Sequence, residues 1–468
     1  MLDARVLAGD VFSNLYSTRR SVSRNPMSSY LKFSISSVTM RNNSEISKYA
    51  KTKFIILAFV AITSLNACLS SPSGEQSDNN SDASDYTRLL SAVTDNVIIP
   101  TYQTFVDQTK DWTIETNAID SYCDAIGSET EATTLTAAQQ SWKETMGTWQ
   151  QAEAFQIGPI TDNGFNLRNR IYSWPAFVSS CTVDRNIVLA ETSVDISTVS
   201  HQGRGLDTLE YLLFNNNMDH SCPSQISETQ NWNVRSEQER KVARCNYAKI
   251  VASDIANSAQ LLLNSWLADG DDYREKLLNS GDEQGAFESQ DAALNALSDA
   301  LFHIENDVKD TKLAIPTGIS TSCNTISCPE DIESFYSDNS LQNIKNNLIG
   351  FRSIFTGSTD AVSTAFSFDD LLFTKNFPEI STQILEDTDS LIELINNTNG
   401  SFIANINSIN STETQTECTN ASSNPDTASN LFSCQIHGKL KRVNDQLKGD
   451  FLTVISLQLP SRVEGDND

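Results

Sequence analysis

From Tyr86 onward, apolar residues recur every three or four positions and polar residues fill the gaps. This spacing predicts helices that bury one face. Leu89, Leu90, Val93, Val97 and Ile98 begin the pattern, Pro100 interrupts it, and Tyr102, Phe105 and Trp112 resume it towards residue 119. The clearest helix is predicted over residues 137–155. There Trp142, Met146, Trp149 and Glu153 fall on a single stripe at i, i+4, i+7 and i+11. A carboxylate at the end of an apolar stripe either reaches solvent at the helix end or is buried and paired. Gly158 and Pro159 supply the stop. Further helices are expected over residues 241–267, 290–312, 331–355, 381–396 and 439–457. Residues 429–437 fit either a helix or a Cys-bounded loop. No period-two strand and no dinucleotide-binding glycine pattern stands out, so the predicted class is all-α.

Residues 201–214 concentrate the candidate chemistry. Gly203 and Gly205 open a helical run in which Leu206, Leu209, Leu212 and Leu213 form the apolar side. Asp207 and Glu210 sit three apart and share a helix face. Two carboxylates on a buried helix call for a metal, another cation, a basic partner or solvent. The turn at Trp174-Pro175 supplies either packing or the wall of a pocket.

Charge narrows the function classes. The 468 residues carry 33 Lys and Arg against 60 Asp and Glu, a net of -27. Nucleic acid, which needs a basic surface, is excluded as a partner. Lys48, Lys51 and Lys53 precede the apolar run from Phe54 to Leu65, which ends in Leu65-Asn66-Ala67-Cys68. This reads as an export signal too short to span a membrane comfortably. Its ending resembles a bacterial lipoprotein cleavage box, with Cys68 as the lipidated residue. The expected segments are an upstream extension at 1–39, a signal at 40–67 starting from Met40, and a Ser/Asp/Asn-rich flexible tether at 68–85. Beyond residue 67 the balance is 24 basic against 57 acidic residues, so the acidity belongs to the folded part. The other eight Cys are an even number in an exported chain and read as disulfides. Cys323 with Cys328 and Cys418 with Cys434 bracket short loops and are the preferred local pairs.

The ordered motifs resemble a known family. Trp142-x6-Trp149-x3-Glu153-Ala-Phe155-x2-Gly158-Pro159, Trp174-Pro175 and Gly205-x4-Glu210-Tyr-Leu-Leu-Phe214 are similar to segments of the imelysin family. So are Lys312-Leu-Ala-Ile-Pro-Thr-Gly318, Ser337-Asp338-Asn339-Ser340 and Gly350-Phe-Arg-Ser-Ile-Phe-Thr-Gly357. That family contains iron-regulated envelope proteins and members classed as metallopeptidases. The resemblance implies two helical-bundle lobes, divided here as residues 86–235 and 236–468, with a site near their junction. It also implies iron or haem as the ligand class, although no axial haem ligand is evident.

In the best-known branch of the family the central motif is Gly-x-His-x-x-Glu, and here Asp207 stands in the His position. Zinc peptidases draw on imidazole ligands. The four His residues, 201, 220, 303 and 437, form no pair at helical spacing. The oxygen ligands Asp207 and Glu210, joined by Glu153, suit a hard cation such as iron or calcium better than zinc. Trp149 and Trp174 are the expected walls, and Arg168 is a further ligand contact. In the alternative arrangement Glu210 takes hydrogen bonds from a buried Arg or Trp, with Arg168, Arg170 and Arg204 available, while Asp207 faces water. The expected function is therefore that of an envelope-anchored lipoprotein on the periplasmic face of the outer membrane. It binds a small ligand or metal ion and works with an iron-uptake partner. A metallopeptidase and an acidic docking lipoprotein are the alternatives.

Overall fold

The apolar stripes become buried faces of helices in the computed structural model, which describes residues 78–360 and 363–461. The expected extension, signal and Cys68, and the tether as far as residue 77, lie outside the described residues. The far end of the tether differs from expectation, because the first helix, α1, spans Asp78–Val93. A π-helical turn at Thr94–Ile98 joins it to α2 at Ile99–Asp111. Pro100 lies in the first turn of α2, where its missing N–H is tolerated. The helix therefore passes through the position where an interruption was predicted.

The first half continues with α3 at Ala118–Ala125, α4 at Glu131–Glu153, α5 at Asp162–Ile171 and α6 at Ser180–Ala190. It closes with α7 at Leu206–Phe214, α8 at Glu237–Trp266 and α9 at Tyr273–Leu278. The second half opens with α10 at Gln290–Leu301, a π-helix at Ile304–Ala314 and α11 at Ile315–Thr317. It continues with α12 at Ser340–Thr356, α13 at Phe368–Thr374, α14 at Pro378–Asn397 and α15 at Phe402–Ser408. The chain ends with α16 at Thr412–Ser423, α17 at Phe432–Gln446 and α18 at Leu452–Ile455. Among the described residues there is no β-strand, and no helix is long and apolar enough to cross a membrane.

The site is positioned by α4, whose stripe of Trp142, Met146, Trp149 and Glu153 is buried along its whole length. The helix packs on α2, α3 and α7 from its own half and on α12 from the other. The α4–α12 seam is close because Gly350 has no side chain, and a Cβ there would meet the Gln151 carbonyl at 2.4 Å. Helix α8 was assigned to the second lobe by the 235/236 boundary, yet it packs against α2, α3, α6 and α7. The described residues group as one compact unit.

One predicted helix is shortened. Residues 331–355 were expected to be helical throughout, but α12 starts at Ser340. Before it, residues 333–338 form a turn with Ser334 and Asp338 at φ of 49° and 52°. The Cys323–Cys328 and Cys418–Cys434 disulfides form as expected. Cys123–Cys245 ties α3 to α8, and Cys181–Cys222 ties α6 to the loop after α7.

Candidate functional site

Helix α7 begins at a tight backbone approach. Gly205 has φ of 88°, and a Cβ on it would lie 2.8 Å from the Ile171 carbonyl. Trp142 Nε1 then donates to the Leu206 carbonyl at 2.9 Å, tying the start of α7 to α4. Leu206, Leu209, Leu212 and Leu213 bury the helix. So short a buried helix takes its polar residues inside with it. Asp207 and Glu210 are only 6 % and 4 % exposed.

Both carboxylates line a cavity of about 50 Å3. Three segments build it: the start of α7, the turn holding Tyr172 and Trp174, and the turn of residues 332–336. The Trp174–Pro175 peptide in the second segment is cis.

Among the described residues neither acid has a cationic partner. Ser173 Oγ donates to Asp207 Oδ2, while Asp207 Oδ1 is buried without a hydrogen-bond partner. Burial pushes the Asp207 carboxyl up to about 7, against the opposing pull of the Ser173 hydroxyl. The Ser337 amide and hydroxyl each donate to Glu210 Oε1 at 2.8 Å. Burial pushes Glu210 up to about 8 despite these two bonds, and the nearby charges of Asp207 and Glu333 add to the rise. The arginines offered as alternative partners are engaged elsewhere. Arg204 forms a buried pair with Asp254, which Arg170 also approaches at 3.8 Å. Arg168 turns to Glu153. Asp207 does not face bulk water.

Glu153 departs from expectation. It is not among the residues lining the cavity. Its two oxygens face separate cations, Lys312 Nζ at 2.9 Å and an Arg168 nitrogen at 3.3 Å. Burial would raise its pKa, but Lys312, His303 and Arg168 together hold it below the usual carboxylate range. Lys312 also meets Glu333 at 3.0 Å, Gln150 at 2.6 Å and Asn347 at 2.8 Å. One ammonium thus serves two carboxylates. Glu333 is the less well compensated, and burial raises its pKa although Lys312 opposes the rise. Tyr172 donates to Glu333 at 2.9 Å. Glu153 and Arg168 are therefore members of an ion cluster at the α4–α12 seam.

Trp174 lines the cavity and Trp149 does not. Trp149 lies in the core, its ring centroid 5.3 Å from that of Phe105. Sequence reasoning assigned no site role to Tyr172, Lys312, Glu333, Phe335 or Tyr336. Lys312 had a readable signal as the charged head of a Leu-Ala-Ile-Pro run. Ser337 sits in the turn before α12. It spends its amide and hydroxyl on Glu210, and no side chain caps α12.

The donors at the cavity are carboxylate oxygens, and no histidine lines it. That set suits a positively charged ligand and lacks the imidazoles of zinc hydrolases. At about 50 Å3 the cavity is also far smaller than the roughly 300 Å3 at which sites for drug-sized ligands begin, so haem does not fit it. Asp207, Glu210 and Glu153 do not converge. Among the described residues, the only three ligand-type side chains within 4.8 Å of one another are Cys328, Glu330 and Asp331, and Cys328 is in a disulfide. A wider groove, about 770 Å3, is lined by the π-helix, the loop after α11, α16 and α17. Charges there pair with one another, Arg442 with Asp426 at 2.6 Å and Lys441 with Asp445 at 3.4 Å.

Comparison with known proteins agrees with this architecture. The sequence profile of the family described as Imelysin matches residues 98–424, a span that contains the cavity and the ion cluster. Iron-regulated protein A of Synechococcus elongatus is 25% identical over 228 residues, 48% of this chain and 54% of that protein. The chain thus spans about half the length of that curated relative. The crystal structure of an iron-regulated protein A precursor from Parabacteroides distasonis aligns with a TM-score of 0.54 at 20% identity, covering 78% of this chain and 95% of that one. An imelysin-like protein from Psychrobacter arcticum aligns at 0.51 and 14%, covering 81% and 98%. These two structures share the all-α fold. The chain belongs to the imelysin family.

Proposed function

We propose that this imelysin-family protein is a binding protein of the bacterial cell envelope that takes up a cation at Asp207 and Glu210. One observation supports this most directly: two buried carboxylates line a cavity, and among the described residues no cationic side chain faces either of them. Burying an anion without a partner is expensive, and a cation entering the cavity removes that cost. The lipoprotein-type signal ending at Cys68 supports an envelope location, with the lipid holding the chain at the periplasmic face of the outer membrane. The name of the Synechococcus relative, iron-regulated protein A, supports a place among proteins that respond to iron supply. An envelope iron-uptake protein is the partner class this implies. The metallopeptidase reading has less support, because the residues at the cavity provide no imidazole.

Calorimetry with Fe3+, Ca2+ and Zn2+ at pH 8 tests the cation site. The expected result is saturable binding to the wild-type chain that Glu210→Gln abolishes. Equal, weak heats from both proteins, for these ions and for organic cations alike, would sink the reading.

A further inference from the structure

We infer that the cation this cavity accepts is an alkylammonium group, a protonated primary amine on a short carbon chain. The inference rests on the cation-binding reading above and adds the class of the cation. Tyr172, Trp174, Phe177, Phe335 and Tyr336 contribute the walls. Aromatic faces attract an organic cation and pack against its carbons, but they offer a metal ion no oxygen ligands. The donor count points the same way. Calcium takes six to eight oxygens, whereas the cavity presents two carboxylates. The nearby Ser173 and Ser337 hydroxyls are turned towards those carboxylates as donors. A primary ammonium has three N–H groups to satisfy, and the Asp207 and Glu210 carboxylates that line the cavity are the acceptors at hand for them.

Size agrees with this choice. A cavity of about 50 Å3 has room for an ammonium and its first carbon atoms. The rest of the carbon chain then leaves past Phe177 and Phe335, whose rings are 41 % and 48 % exposed. The protein already holds an ammonium by the same chemistry next door. Lys312 Nζ sits 4.9 Å from the centre of the Trp174 ring, with carboxylate oxygens of Glu153 and Glu333 at 2.9 and 3.0 Å. The cavity on Trp174 repeats that set of one indole and two carboxylates without a lysine of its own. A free small amine and the side chain of a partner's lysine would present the same head group.

The test is titration calorimetry at pH 8 on the full chain, with tryptophan fluorescence as a second readout. The probes are propylammonium, n-propanol, Nα-acetyl-lysine methylamide and Ca2+. Propylammonium is expected to bind and n-propanol, its neutral analogue, is not. Glu210→Gln should weaken the amine by at least about tenfold, and Phe335→Ala by about threefold. Phe335 is half exposed, so its loss leaves the core intact. Tighter binding of the lysine amide than of propylammonium supports the inference with a protein side chain as the source, and the reverse order supports it with a free amine. Glu210-dependent binding of Ca2+ or Fe3+ without any amine binding overturns the inference and leaves the cation site standing. If no cation binds, both fall.

Discussion

Two pairs of acids are buried close to Trp174, and they meet opposite electrostatic fates. Glu153 and Glu333 share the ammonium of Lys312, with Arg168 on the far oxygen of Glu153. Asp207 and Glu210 are buried as deeply and have only hydroxyl and amide donors around them. The first pair is held together by charges the chain supplies itself, so it reads as architecture that locks α4 to the second half of the molecule. The second pair is stable in the folded protein chiefly when protonated or when a cation arrives from outside. Burial alone therefore does not mark a binding site. The discriminating feature is whether the fold supplies the counter-charge.

The largest effect should come from breaking the compensated pair. Lys312→Met leaves Glu153 and Glu333 without their shared cation and should cost about 3–5 kcal/mol in urea unfolding. Adding Glu153→Gln and Glu333→Gln to the same chain should recover most of that loss, because removing a whole buried ionic set is often close to neutral.

The uncompensated pair should respond in the opposite direction. Asp207→Asn with Glu210→Gln should raise stability at pH 8 by on the order of 1 kcal/mol or more while abolishing cation binding. The sign follows from the raised folded-state values of about 7 and about 8. The unfolded chain loses these protons near pH 4, well before the folded chain does. Their contribution to stability is thus fully present below pH 4 and is lost as pH rises through 7 to 8. Thermal unfolding of the wild type should show this decline, and the double variant should lack it. Glu333 raises Glu210, and Tyr172 and Tyr336 feel the charge of Glu210 in turn, so the difference between the two curves reports the pair together with its coupling to these neighbours.

Ser337→Ala should have the smallest effect. It removes one of two hydrogen bonds to Glu210 Oε1 and keeps the backbone one. A loss of about 1 kcal/mol is expected at pH 9, where Glu210 is ionised, and less at pH 5.

How much of this was legible in the sequence depended on the range of each signal. The Trp142–Glu153 stripe and the Asp207/Glu210 pair are local patterns, and the structure places both as the helical periods predict. The partners were not readable, because Lys312 and Glu333 reach Glu153 and Tyr172 from more than 150 residues away. No local period announces a contact of that kind. Trp149 shared a helical stripe with Glu153 and was expected at the pocket, but a helix one side chain wide meets different neighbours at each turn, and that turn faces Phe105. The turn before α12 was hidden for a similar reason. Its residues look helical in isolation, and Ser337 gives its amide and hydroxyl to Glu210 on α7, 127 residues away.

The central claim is that Asp207 and Glu210 hold protons in the ligand-free protein near neutral pH and release them to solvent when a cation binds. Calorimetry of cation binding at pH 7, repeated in buffers of different ionisation heat, counts those protons directly. The account predicts release of about one proton or more per cation bound, and loss of both binding and release in Asp207→Asn/Glu210→Gln. Binding with no proton released, or release that persists in the double variant, would contradict it.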